Sequence, residues 1–278
     1  MVSHFSQNLL ICEDLITIKF MSKTLVKKIK KHGYSPLISF LPSIVTLTSL
    51  CIALSAIRFA IHGDFFKASA FLLFAGFMDG VDGRLARFLN LESDFGAQLD
   101  SLVDFVNFGV VPGFVIYSWI SYSHEVKFFN WAMVLFFAIC TAIRLARFNV
   151  DLKNNYEANP ILEKYFFKGL PAPVGAGMSL LPMIITYEFG AGFYSNPYFV
   201  LSYVTLIALF MASVIPTISI KKIPIRNDYA YLTLVILTTI IIGLLIKPWL
   251  TIAIIGIVYT LSIPLTIFAY IYIRSKQS

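Results

Sequence analysis

The sequence predicts an all-α integral membrane protein: a polytopic helical bundle of about eight transmembrane helices with both termini cytoplasmic. Three observations lead there. First, 58% of the 278 residues are hydrophobic and only 13% are charged, roughly half the charge that a water-facing domain carries. Second, the mean hydropathy is +0.79, and apolar runs of bilayer-spanning length follow one another almost without a break from residue 37 to 272. Third, the basic residues are unevenly placed. With the N-terminus inside and the spans alternating, every Lys and Arg except Arg58, Lys67, Lys127 and Lys247 falls on the inner side, as the positive-inside rule expects.

The eight runs lie near 37–61, 67–88, 96–120, 129–150, 171–188, 197–220, 229–247 and 250–272. Ahead of the first, Leu25–His32 carries Lys27, Lys28, Lys30 and Lys31. It reads either as an amphipathic helix lying on the bilayer or as a basic tail that only sets orientation. Residues 1–20 hold Glu13 and Asp14 and have no small-residue cleavage site after a basic start, so no cleavable signal peptide is expected. Met21 looks like a natural start, so residues 1–20 read either as an extension with little structure or as a translation-start error. The chain therefore divides into a cytoplasmic segment (1–36), a six-helix core (37–220), and two additional helices with a short basic C-terminus (221–278). The net charge of +7 is read as attraction to an anionic leaflet, not to nucleic acid. Cys12, Cys51 and Cys140 are too few and too scattered for a disulfide framework or a zinc site.

Chemistry concentrates where the second and third runs meet. Asp79, Asp82, Arg84, Arg87, Asp100 and Asp104 lie within 26 residues. An ionised carboxylate inside a span costs about 3 kcal/mol or more unless it is paired or binds a cation. Asp79 and Asp82 are three residues apart and Asp100 and Asp104 four apart, so each pair shares a helix face. Gly83, Ala86 and Gly96 continue those faces with small side chains that let two helices press together. Four carboxylates facing one cavity suit a hard divalent cation, Mg²⁺ or Mn²⁺, and such ions commonly hold phosphates. A structural ion-pair network and an ion pathway are the competing readings.

The run Asp79-Gly-Val-Asp82-Gly83-Arg-Leu-Ala86-Arg87, followed by Gly96, Asp100 and Asp104, resembles the signature of the CDP-alcohol phosphatidyltransferase family, with all eight signature residues at the family's spacings. Ser93–Pro112, Ala142–Asn149 and Phe167–Pro173 resemble the membrane-embedded phosphatidylserine synthase branch. The resemblance covers roughly residues 37–220. Ser43 departs from it, standing where the wider family has Asn. The resemblance implies transfer of a phosphatidyl group from CDP-diacylglycerol to L-serine, with CMP released. It implies Asp79, Asp82, Asp100 and Asp104 as metal ligands and Asp104 as general base. Asp79, Gly83, Ala86, Arg87 and Gly96 would meet the CDP-lipid. Arg144, Arg147 and Asn149 are expected to bind the serine carboxylate or a lipid phosphate, with Lys168 a weaker candidate. Asn107, three residues past Asp104, either orients it or packs a helix. Membrane lipids are the surroundings, and a homodimer stays open. Two other readings also stay open: another acceptor alcohol (glycerol phosphate, inositol phosphate or choline), and a cation transporter using the acidic cluster.

Overall fold

The computed structural model describes residues 40–91, 93–123, 127–153, 166–218 and 230–275. The expectations for 1–36, for most of the inner loop 151–170 and for the Lys168 side chain lie outside the described residues.

Helix α1 (Leu41–Ile61) carries Pro42 in its first turn, where a missing N–H is harmless. Its buried stripe is Pro42, Thr46, Ser49, Ala53, Ala56 and Ala60, spaced by threes and fours and made of small residues. Helix α2 (Phe65–Leu89) returns antiparallel. The turn between them uses Gly63 at φ +76°, and the Asp64 carboxylate caps α2 by accepting from the Lys67 N–H at 3.1 Å. Ala68, Leu72 and Ala75 of α2 share a core cluster with Ala53, Ala56 and Ala60. In lipid there is no net apolar gain from burying one helix on another, so close contact between small side chains holds this hairpin.

The third rod is continuous but irregular: α3 (Asp94–Phe105), a five-residue π segment (Val106–Val110) and α4 (Val111–Ser123). The Val111 N–H reaches back to the Val106 carbonyl. Pro112, next in line, has no N–H to give, and the wider turn accommodates this. At Gly109 a Cβ would stand 3.1 Å from Thr141 Cβ, so glycine is what admits α5 (Lys127–Lys153).

The predicted span 171–188 is in fact two helices, α6 (Ala172–Ser179) and α7 (Leu181–Phe189). They part at Leu180 because Pro182, in the first turn of α7, cannot donate to Met178. Helix α8 (Pro197–Ala212) ends eight residues before its predicted limit of 220, where Ser213 becomes extended. Helices α9 (Ala230–Ile246) and α10 (Pro248–Ser275) follow. A short antiparallel pair, β1 (Phe166–Lys168) with β2 (Pro216–Ile218), joins Phe166 to Ile218 and Lys168 to Pro216. The sequence reading held no strand, since three residues are too few to display alternation.

Leu41–Ile61, Asp94–Tyr122, Phe128–Asp151 and Pro248–Phe268 are each long and apolar enough to cross a membrane. Pro197–Ala212 and Tyr231–Ile246 are shorter apolar helices. The chain is a polytopic, essentially all-helical membrane protein. Phe137, Ile116, Met183, Val204 and Ile207 fill the centre, while Phe74, Phe77, Ile139 and most of α9 point outward, as lipid-facing positions should.

Gly169 ties the β pair to α8. Its φ is +78°, and a Cβ there would lie 2.5 Å from the Ser213 carbonyl oxygen. Gly169→Ala should therefore destabilise the fold by about 1–3 kcal/mol from the backbone conformation alone, with the clash adding to it. Thermal unfolding in detergent checks this, and a wild-type Tm would contradict it.

Candidate active site

The site depends on how α2 stops and α3 starts. Asn90 takes a left-handed conformation, φ 54°. The Leu91 N–H then donates to Ala86 O at 3.0 Å and the Asn90 N–H to Arg87 O at 3.2 Å, a close relative of the Schellman helix end. Ser93 begins α3, its Oγ accepting from the Gly96 N–H at 3.0 Å. The chain thus reverses within a few residues and turns the acidic face of α2 toward that of α3, with an open cavity between their facing ends.

That reversal brings a carboxylate oxygen from each of Asp79, Asp82 and Asp100 within 4.8 Å of one another. Asp82 is buried, and its Oδ2 accepts from Thr46 Oγ1 of α1 at 2.6 Å. Asp104 faces Asp79, and Asp79 also faces Asn107. Three ionised carboxylates at this separation repel by roughly 3–4 kcal/mol per pair at an effective dielectric near 20. The ion pairs found among the described residues, Lys67–Asp64 and Lys247–Glu188, do not involve them. Asp79 Oδ1 is buried with no hydrogen-bond partner among the described residues. A hard divalent cation would satisfy that atom and offset the repulsion, and an all-oxygen donor set is what Mg²⁺ or Mn²⁺ takes. The residues present therefore fit a metal ion.

Beside the cluster opens a cavity of about 350 Å³. Asp82 and Asp100 face it, and Gly83, Ala86, Arg87 and Gly96 form its wall. Asp79 and Asp104 are not part of that lining. At Gly83 a Cβ would meet only the Arg87 guanidinium, at 3.9 Å, so any larger side chain would project into the open space. From α1 come Pro42, Ser43 and Thr46. Ser43, the departure from the family pattern, thus lies in the cavity wall. The sequence reading gave Thr46 and Ser49 no role, because α1 also carries Ser43, Thr48 and Ser55 and nothing local tells which hydroxyl meets a distant partner.

The inner end of α5 makes three ties. Arg144, buried, donates through Nε to Leu170 O at 3.1 Å and lies over the Phe148 ring. Arg147 donates to Ser213 O at 3.0 Å and to Ala212 O, placing a cation at the C-terminus of α8, where the helix dipole favours it. Asn149 Nδ2 donates to Ser101 Oγ at 2.6 Å, which fastens α5 beside Asp100.

Comparison with known proteins adds the following. The sequence pattern of the CDP-alcohol phosphatidyltransferases matches residues 39–215, and that of a second group, CDP-alcohol phosphatidyltransferase 2, matches 228–264. The chain is 34% identical over 230 residues to a CDP-diacylglycerol–serine O-phosphatidyltransferase of Mycobacterium leprae, covering 83% of this chain and 75% of that one. It is 30% identical over 210 residues to the Helicobacter pylori (strain 26695) protein of the same name, covering 75% and 84%. A Bacillus subtilis protein of that name is 32% identical over 150 residues, covering 54% of this chain and 78% of its own.

Proposed function

Since this chain belongs to the CDP-alcohol phosphatidyltransferase family, we propose that it is a phosphatidylserine synthase, moving the phosphatidyl group of CDP-diacylglycerol onto L-serine. The observation that carries this reading is the convergence of Asp79, Asp82 and Asp100 beside a cavity walled by small residues and Arg87. The relatives' printed activity supports serine as the acceptor.

The bound cation, Mg²⁺ or Mn²⁺, would supply charge stabilisation at the pyrophosphate, held by Asp79, Asp82 and Asp100 with Asp104 beside them. The chain's own residues do the rest. Gly83, Ala86 and Gly96 leave room for the cytidine nucleotide against the helix backbones. Arg87 offers its fork of donors to a phosphate oxygen. Asp104 takes the proton from the serine hydroxyl, a weak nucleophile until a positioned base acts on it. The serine oxygen bonds to the phosphorus next to diacylglycerol as the bond from that phosphorus to the bridging oxygen breaks, and CMP leaves with that oxygen.

The basic residue distribution favours both termini and the active site on the cytoplasmic side of a bacterial inner membrane. The inner end of α5 is assigned to the acceptor, with Arg144 or Arg147 meeting the serine carboxylate and Asn149 completing the pocket. Arg147→Ala should raise the serine KM far more than the lipid KM. Because Arg147 also closes the end of α8, the Tm is measured alongside, and an unchanged serine KM removes it from the pocket.

The deciding experiment follows CMP release from CDP-diacylglycerol by the purified enzyme. Release is expected with serine and a divalent cation, and with neither one omitted. Release driven by glycerol phosphate or inositol phosphate would change the acceptor. No release with any alcohol would overturn the enzyme reading and favour cation transport.

A further inference from the structure

Directly after Asp104 the chain leaves α geometry for the π segment Val106–Val110, and π turns inside long helices gather at functional positions. Its second residue, Asn107, is 1% exposed. Asn107 Nδ2 donates to Ser49 Oγ at 3.1 Å, and Ser49 Oγ donates to the Thr46 carbonyl at 2.8 Å. Thr46 in turn holds Asp82. Asn107 also lies close to the Asp79 carboxylate. A line of neutral polar groups therefore runs from Asp82 through α1 to Asn107 and back to Asp79.

Two buried acceptors along this line, Asn107 Oδ1 and Asp79 Oδ1, have no hydrogen-bond partner among the described residues. A carboxamide serving only to pack helices would be a poor choice. One unsatisfied buried acceptor costs about 1–3 kcal/mol, and an apolar side chain would avoid that. Its setting beside the acidic cluster supplies the reason for the amide.

We propose that Asn107 is a positioning residue for the transfer reaction: Ser49 holds its carboxamide against Asp79, so that the Asp79 carboxylate keeps one orientation toward the cation and toward Asp104. This inference rests on the phosphatidyltransferase reading above. Asn107 belongs to the π turn, which packs against both α1 and α2.

The test uses the full-length enzyme in detergent micelles, with Mn²⁺ binding measured by paramagnetic resonance without substrate, and kcat and KM measured separately. Asn107→Leu removes the carboxamide while keeping the side chain's branching, and Ser49→Ala removes the hydroxyl that holds it. Asn107→Leu should weaken Mn²⁺ binding about tenfold or more and lower kcat by a similar factor, the usual range for partners behind the ligands. The lipid KM should stay within about threefold of wild type, since the nucleotide cavity is untouched. Ser49→Ala should weaken Mn²⁺ binding about threefold, and the double variant should match Asn107→Leu, because both act through one path. Wild-type Mn²⁺ affinity in Asn107→Leu, or in Ser49→Ala should the first variant not fold, overturns the proposal. A wild-type enzyme that never releases CMP fails the parent reading, whereas an active wild type with an indifferent Asn107→Leu fails this inference alone.

Discussion

Asp104→Asn should lower turnover by about 10²–10⁴-fold, the usual contribution of a positioned base, while the protein still binds CDP-diacylglycerol. The asymmetry follows from placement. The cavity wall is built from Gly83, Ala86, Arg87 and Gly96, with Asp82 and Asp100 at its edge, and Asp104 is outside that wall. Asparagine keeps the shape and an acceptor oxygen but cannot take a proton at neutral pH. CMP release and equilibrium binding of the lipid are the two measurements. If binding is lost in step with turnover, Asp104 serves the lipid and not the serine hydroxyl.

Removing divalent cations should abolish activity, and adding back Mg²⁺ or Mn²⁺ should restore it. The same step should lower the Tm. A ligand that binds only the folded state at a hundred times its Kd stabilises it by about 2.7 kcal/mol. Here the cation also relieves repulsion among three carboxylates within 4.8 Å. Asp82→Asn and Asp100→Asn should each weaken the cation-dependent rise in Tm, since each deletes one charged ligand. Full turnover in excess chelator, or a Tm indifferent to the cation, would remove the metal from the account.

Much of the site was legible because helix periodicity is simple. Spacings of three and four residues are enough to give Asp79 and Asp82, and Asp100 and Asp104, a common face in each pair. The pattern of apolar runs gave a polytopic helical chain for an equally local reason: in lipid, backbone groups must bond within their own helix. Where that logic met proline it erred. One predicted span is divided at Leu180 ahead of Pro182. The stretch before Pro112 is a π turn, which regular spacing does not reveal. Nor could periodicity foresee Thr46 and Ser49, whose roles depend on partners 36 and 58 residues away.

What the sequence alone determined is therefore the local part: a membrane-embedded helical chain, two acidic faces, and small residues beside them. Each is a property of neighbours along one helix, which chemistry and helical repeat dictate without any fold. Those small residues, Gly83, Ala86 and Gly96, do not press the two helices together as expected but wall a cavity between them. Tertiary structure decided which distant groups meet. The reversal at Asn90–Ser93 sets the carboxylates against one another, α1 lends its hydroxyls from the side, and the guanidinium of Arg147 finds the end of α8. Such contacts join residues far apart in the chain, and only the packed bundle brings them within bonding distance.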